Sequence, residues 1–431
     1  MKGTIVEYTK YAVQESRLAD SQKKMWIQKL SARMVVWFLL SVCRRISFFF
    51  TDKNKSENEI RSKNKFVFMG RFESDNWIRA HIKPLARSKF CEHIWIISDK
   101  KLLHIENVTY IQPDPLLRKL FGDIVARAYA AHKIAKNNNV HYVGGFHLLL
   151  NGIFAHVIAR MNHAKSIYFC VGGWSEVVGG GVYSGTPVFK NLGRYDHAVE
   201  KKLLGFIKEI DHVITMGNKA KKYFEYYGIK RVVVIPGGID KSALEVDVGV
   251  KESKVDLVLV ARLDPVKRID RFLKIVQQLK IQRSNISALI VGGGELIEQY
   301  RLLAKQLGVD TNVNFIGASI DVGAFLINAK VFVLTSDSEG LPLSCMEAAT
   351  FGLPIVASNI GDLSDLIDNN VDGFLIDKED ITGFVDTISL LLSDDKLAQT
   401  VAEKTRFKAE KFSIEAATLS WNFTIMGRDL V

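Results

Sequence analysis

The chain has 431 residues, of which 48% are hydrophobic and 24% charged, and a formal net charge of +11. That length accommodates two domains with cores of their own, and the composition excludes a disordered or low-complexity chain. The four cysteines, Cys43, Cys91, Cys170 and Cys345, lie far apart without a Cys-x-x-Cys pair, which argues against a zinc site and for a reducing compartment.

The basic excess is concentrated at the start. Residues 1–65 hold 14 Lys and Arg against 6 Asp and Glu, +8 of the total +11. Within this stretch Met25, Trp26, Ile27, Leu30 and Met34 recur at helical spacing beside Lys23, Lys24, Lys29 and Arg33. An apolar run from 34 to 43 follows, then Arg44-Arg45 and more apolar residues to Phe50. A bilayer crossing needs about 20 apolar residues, and a cleaved signal would start earlier. The spacing predicts a basic amphipathic helix over 22–50, lying on an anionic membrane surface. The competing expectation is that the same helix packs on the protein or forms a dimer contact. Nucleic acid is not the expected partner, because the basic residues are interleaved with large aliphatic and aromatic side chains.

Residues 51–65 are polar and read as a linker, so 1–62 forms an extension ahead of the first domain. Strand-like runs then fall at 65–69, 93–97, 108–111, 140–143, 166–169, 212–216 and 232–235, alternating with helical stretches such as 152–160. This alternation predicts a mostly parallel sheet over residues 63–237. Gly70 follows the first run and His147 the fourth. A lone His at a strand end serves either as a ligand-facing group or as a core residue with satisfied nitrogens. The glycine cluster at 179–185 reads either as a mobile loop facing an acceptor or as a plain flexible connection.

A second domain is expected over 238–410, with a closing helix at 411–431 that returns to the first. Its first strand-like run, 255–261, leads into Arg262-Leu263-Asp264-Pro265-Val266-Lys267-Arg268 and a helix. Open α/β sheets bind ligands at the carboxyl ends of their strands, so Arg262 and Lys267 can reach one diphosphate there and stabilise charge on a departing group. The next run, 286–291, ends in Gly292-Gly293-Gly294, a loop that lets backbone approach a nucleotide. Leu296, Tyr300, Leu303 and Leu307 follow at helical spacing. A third run, 329–335, leads into Glu339-Gly340-Leu341-Pro342-Leu343 and a helix carrying Glu347. Pro342 suits the first helical position, and the dipole end there favours anions. Two carboxylates beside an anion-friendly helix start suit a ligand with both phosphate and vicinal hydroxyls, such as a nucleotide-sugar.

The spacing of Glu339 and Glu347 resembles the Glu-x7-Glu signature of retaining glycosyltransferases with the GT-B fold, especially family 4 (glycosyl transferase group 1). Arg262 and Lys267 resemble that family's Gly-Arg-Leu-x-x-x-Lys-Gly element, with Ala261 and Arg268 in place of the two glycines. The phrase 234–240 resembles its hinge, with Gly237 for Asn, and 352–358 and 372–376 continue its pattern. Departures are Gly361-Asp362-Leu363-Ser364-Asp365, where the family has Gly-Gly-x-x-Glu, a single Gly70 where a glycine pair is common, and 171–176, where His-Gly is common.

The resemblance covers roughly 65–430 and implies an α/β protein of the GT-B class, two Rossmann-like domains facing a central cleft. By resemblance, Arg262 and Lys267 stabilise the diphosphate, Glu339 approaches the donor sugar, and His147 sits near the sugar's primary hydroxyl. Glu347 binds the ribose, while Gly340, Leu341, Leu343, Gly293, Gly294 and Gly70 line the donor. No Asp-x-Asp metal clamp occurs, so neither metal nor cofactor is expected beyond the donor, a UDP- or GDP-sugar. The first domain offers no nucleophilic carboxylate, which implies a front-face retaining route. The expected acceptor is a hydroxyl of a lipid-linked or surface glycan, and the expected place is the cytoplasmic face of the membrane. The alternative is a non-catalytic nucleotide-sugar-binding subunit of a membrane glycan-assembly complex.

Overall fold

The structure, a computed structural model, describes residues 22–50, 62–72, 74–181, 195–244, 255–319 and 321–427. Most of the expected linker (51–61) and residues 182–185 of the glycine cluster lie outside the described residues.

Two parallel sheets carry the fold, as expected for the α/β class. The first contains β1 (Asn64–Met69), β2 (Cys91–Ile97), β3 (Val108–Ile111), β4 (Tyr142–Phe146), β5 (Lys165–Cys170), β6 (His212–Thr215) and β7 (Val232–Val234), in the order β3-β2-β1-β4-β5-β6-β7. The second contains β8 (Val255–Val260), β9 (Ala288–Val291), β10 (Val313–Gly317), β11 (Ala329–Leu334), β12 (Ile355–Ser358) and β13 (Phe374–Ile376), in the order β10-β9-β8-β11-β12-β13. Both orders reverse direction beside the first strand, between β1 and β4 and between β8 and β11. A crevice opens at such a switch point, outside the carboxyl ends of the two strands. Gly70 and His147 immediately follow β1 and β4, while Ala261-Arg262 and Thr335-Ser336 immediately follow β8 and β11. Topology alone therefore places the candidate residues at a switch point in each sheet.

The described residues divide into two compact units. One takes Ala86–Ile235 with the described residues up to Asp75 and from Asn422 on; the other takes Asn76–Leu85 with Pro236–Trp421. Central strands such as β8 are mostly aliphatic because helices cover both faces of a parallel sheet, and the one charge in β8, Asp256, pairs with Lys330 of β11 at 2.9 Å. Leu257, Leu259, Phe272, Ile290, Val331 and Phe384 are among the fully buried residues of the second unit's core.

Helix α1 (Gln22–Phe49) belongs to the first unit. Val36, Leu40 and Cys43 lie on one stripe of it and are buried in the same core as Ile153 and Val157 of α2 (Ile153–Met161) and Leu203 and Phe206 of α3 (His197–Ile207). The helix thus takes a place between α2 and α3 in the layer that covers the sheet. Arg33 pairs with Asp196 at 2.8 Å, and Arg44 pairs with Glu209 at 2.6 Å while donating to the Gly205 carbonyl. Of the two expectations for this helix, packing on the protein is what one of its faces does.

Three local details differ from the sequence expectations. The strand expected at 140–143 runs two to three residues later, over Tyr142–Phe146, where Gly144 and Gly145 pass too close to the Phe68 ring and the Asn151 backbone for a Cβ. Pro342 is the N-cap of α4 (Leu343–Thr350), not its first helical residue: its ψ of 129° is extended. Strand β10 is an edge strand with one fully buried residue, Val313, and carries too little apolar signal to be read from sequence.

Candidate active site

In the second unit the loop after β8 and the loop after β11 are bound to each other. Thr335 Oγ1 donates to the carbonyls of Lys267 and Arg268 at 3.1 and 3.0 Å, and the Asp337 amide donates to the Val266 carbonyl at 2.8 Å. Buried Arg271 donates to the Thr335 carbonyl at 2.6 Å and pairs with Asp337 at 3.1 Å. Lys267 closes a single 3-10 turn, Pro265–Lys267, and this frame aims its ammonium at Glu339. Lys267 Nζ stands 2.5 Å from Glu339 Oε1, which also accepts from Ser336 Oγ at 2.6 Å. Both side chains are largely buried, at 14% and 10% exposed. Arg262 is different. It is 72% exposed, with Asp264 as its partner at 3.2 Å, so the structure leaves it pointing to solvent at the strand end.

Arg268 occupies the place of the motif's second glycine, and its backbone explains that glycine: φ is +51° and ψ +50°, left-handed. An L-residue there costs about 1–2 kcal/mol. Two carboxylates hold Arg268 in compensation, Asp337 at 3.0 and 3.2 Å and Asp270 at 2.9 and 3.0 Å. The glycine loop after β9 has an equally local cause. A Cβ on Gly292 would lie 1.8 Å from the Ala261 carbonyl oxygen, and one on Gly294 2.5 Å from that of Leu263. Gly292 and Gly294 therefore let the loop lie against the backbone that carries Arg262, while the Gly293 carbonyl accepts from the Leu263 amide at 2.8 Å. Gly361, with φ +53°, does the same for the β11 loop, since its Cβ would fall 2.1 Å from the Glu339 carbonyl oxygen.

Glu347 lies on α4, one helical turn beyond Leu343, and is 6% exposed. Burial raises its carboxyl pKa to about 7, with Arg79 pulling the other way. Arg79 comes from the short helix Asp75–His81, most of which belongs to the second unit although it lies early in the chain. The Gly238 amide donates to the Ala80 carbonyl at 2.8 Å, and Gly237 sits where a Cβ would meet Leu343 Cδ2 at 2.8 Å and His81 at 3.0 Å. Sequence reasoning missed Arg79, since nothing near position 79 marks a segment that crosses to the other unit. Gly340 and Leu341 are buried and Leu343 is half-buried at the start of α4.

In the first unit His147 follows β4 with φ +63°. Its Nδ1 lies 2.9 Å from Glu176 Oε1, and its side chain is 51% exposed. Glu176 is buried and accepts three further bonds, from the Leu148 amide at 3.1 Å, the Gly172 amide at 2.6 Å and the Tyr168 hydroxyl at 2.8 Å. Burial pushes the Glu176 carboxyl up, but His147 and these donors outweigh it and hold the group below its ordinary pKa. An ionised Glu176 accepts from Nδ1–H, which fixes the orientation of the ring. His147 is thus neither a core histidine nor a lone one. Sequence reasoning also missed Glu176; its one signal was an acidic residue four positions beyond a strand-end glycine. Gly70 is buried against Phe72 and Phe146, where a Cβ would approach to 3.0 and 3.1 Å. Among the described residues no three His, Cys, Asp or Glu side chains group as a metal site requires.

Residues 240–408 match the family model described as Glycosyl transferases group 1. An "Uncharacterized glycosyltransferase" of Haemophilus influenzae is 34% identical over 166 residues, covering 38% of this chain and 47% of that protein. A Campylobacter jejuni protein named "GalNAc-alpha-(1->4)-GalNAc-alpha-(1->3)-diNAcBac-PP-undecaprenol alpha-1,4-N-acetyl-D-galactosaminyltransferase" is 27% identical over 244 residues, covering 55% of this chain and 67% of that protein. The chain thus spans about half to two thirds of the length of these relatives. The Anabaena protein HepE, solved in complex with UDP-glucose, superposes with a TM-score of 0.66 at 16% identity, covering 84% of this chain and 100% of that one. With its two Rossmann-like parallel sheets, the fold is GT-B.

Proposed function

We propose that the chain is a retaining glycosyltransferase that moves a sugar from a nucleotide diphosphate to a hydroxyl of a lipid-linked or surface-glycan acceptor, without a metal. The observation that carries this reading is the buried Lys267–Glu339 pair at the switch point of the second sheet, held between Arg262 and the start of α4. A lysine and an acid at such a crevice suit a ligand that is anionic at one end and rich in hydroxyls at the other.

In this reading the donor diphosphate takes the outward Arg262 and shares Lys267 with Glu339, and the free amides of the first turn of α4 add to its binding. As the sugar–phosphate bond breaks, negative charge grows on the leaving phosphate, and cations already in place stabilise it without reorganising. Glu339 accepts from donor-sugar hydroxyls, and Glu347 accepts from the two ribose hydroxyls. His147 keeps the role that the resemblance implies for it, near the sugar's primary hydroxyl. Glu176 is no substitute nucleophile, since it is buried behind His147 with its oxygens already accepting. The leaving phosphate then takes the acceptor's proton as the new bond forms on the same face. A UDP-sugar is the favoured donor, because the Anabaena neighbour binds UDP-glucose. The reading includes a peripheral position on the cytoplasmic face of a membrane, since the Campylobacter relative's name gives an undecaprenol-linked substrate.

Titration of UDP-, GDP- and ADP-sugars into the wild type and Glu347→Ala tests it. One donor bound and slowly hydrolysed, with both lost in the variant, supports transfer. Donor binding without any turnover, with or without glycan acceptors, would favour the binding-subunit alternative instead.

A further inference from the structure

The face of α1 opposite its buried stripe is also apolar. Met34, Val35, Phe38, Val42 and Phe49 face outward, with Phe38 73% and Phe49 83% exposed, and only Ser41 and Arg45 interrupt them. A surface helix of a protein surrounded by water carries polar residues there, and a helix apolar on both sides is covered on both. The basic rim indicates by what. Lys202 of α3 holds its ammonium 5.2 Å from the centre of the Trp37 ring, and Lys201 and Arg45 are exposed nearby. The acidic groups beside the helix are taken up by its own arginines: Asp196 by Arg33 and Glu209 by Arg44. No helix among the described residues is long and apolar enough to cross a membrane.

We propose that this outer face of α1 is a docking surface for an anionic lipid bilayer. The helix lies in the plane of the interface with Phe38, Val42 and Phe49 at the acyl boundary and Lys201, Lys202 and Arg45 among the headgroups. Trp37 under a lysine is the amphipathic pairing that suits the boundary between the two. Because Val36, Leu40 and Cys43 fix the other side of the helix in the first unit's core, the dock is a rigid part of that unit rather than a tether. Docking in this way presents the unit expected to hold the acceptor to the layer where a lipid-linked acceptor resides.

Flotation of the full chain with vesicles tests this without any turnover, so its failure leaves the transfer reading untouched. Vesicles of phosphatidylcholine with about one third phosphatidylglycerol should carry the wild type, pure phosphatidylcholine vesicles should carry much less, and high salt should weaken the difference. Phe38→Glu/Phe49→Glu should lower the bound fraction roughly tenfold or more, because two large apolar side chains no longer enter the lipid. Phe38→Ser/Phe49→Ser should reproduce the loss, with circular dichroism showing each variant folded. Lys201→Glu/Lys202→Glu should remove the preference for anionic lipid. The proposal is overturned if the wild type ignores anionic vesicles, or if the folded Phe variants still bind them. It is equally overturned if those variants only convert a dimer to a monomer, which would make a second copy the occupant.

Discussion

Replacing Glu347 by Gln isolates a single buried carboxyl and gives the second unit a calculable pH dependence. The carboxyl titrates near pH 7 in the folded chain against an ordinary value of 4.5, and burial is the cause. Below about pH 4.5 both states hold the proton and the group is neutral to stability. Between 4.5 and 7 the unfolded chain releases the proton while the folded chain keeps it, so stability falls as pH rises. At 1.36 kcal/mol per unit, a gap of about 2.5 units amounts to about 3 kcal/mol, fully lost above pH 7. Glu347→Gln has the same shape and no such loss. The variant should match the wild type near pH 4.5 and exceed it by about 3 kcal/mol at pH 8, roughly 6–12 °C in the melting temperature of a unit this size. Nucleotide binding should move the opposite way: losing a carboxylate acceptor for two ribose hydroxyls costs about 1.5–3 kcal/mol, roughly ten- to a hundredfold in Kd for UDP. Thermal melts of both proteins from pH 5 to 8.5, with and without UDP, read both effects. A melting difference independent of pH, or a variant less stable at pH 8, would refute the reasoning.

Other substitutions separate roles within each unit. Arg262→Ala should leave the melting temperature within about a degree, because an exposed pair contributes little, yet lower turnover at least a hundredfold; Lys267→Ala should lower turnover as much, and steady-state rates that survive either change sink the assignment. Arg268→Gly should unfold in urea within about 1 kcal/mol of the wild type, trading two ion pairs for relief of a left-handed backbone, whereas Arg268→Ala keeps the strain and should be about 1–2 kcal/mol less stable than the glycine variant. Glu176→Gln should lower kcat about ten- to a hundredfold by releasing His147 from its orientation. Tyr168→Phe removes another partner of the same carboxylate, so it should cost stability while leaving turnover within about threefold; equal losses of turnover in both would make Glu176 purely structural.

Much of the fold could be read because parallel strands buried on both faces are written as largely apolar runs: β8 and β11 stand out at 255–260 and 329–334 for that reason, each interrupted by one charge, Asp256 and Lys330. The ends of those runs also located Arg262, Lys267 and Glu339, since ligand sites follow strand ends in such sheets. What stayed hidden depends on long-range contact. Arg79 reaches the surroundings of Glu347 from more than two hundred residues away, and Glu176 meets His147 from 29 residues on, past a helix and a strand. Neither has a local pattern. The α1 helix illustrates a third case. Its helical spacing was plain, but a sequence in which nearly every face is apolar does not say which stripe meets protein; only the burial of Val36, Leu40 and Cys43 does. Arg268 in place of a glycine was visible as a departure, and its reason, a left-handed backbone held by Asp337 and Asp270, was not.

The most direct test of the central claim is proton NMR of the donor reaction as it proceeds, with the donor that binds, in wild type and Lys267→Ala. The account predicts that the wild type releases or transfers the sugar with its anomeric configuration retained, and that the variant leaves the donor intact over the same period. Inverted product, or cleavage by the variant at the wild-type rate, would contradict it.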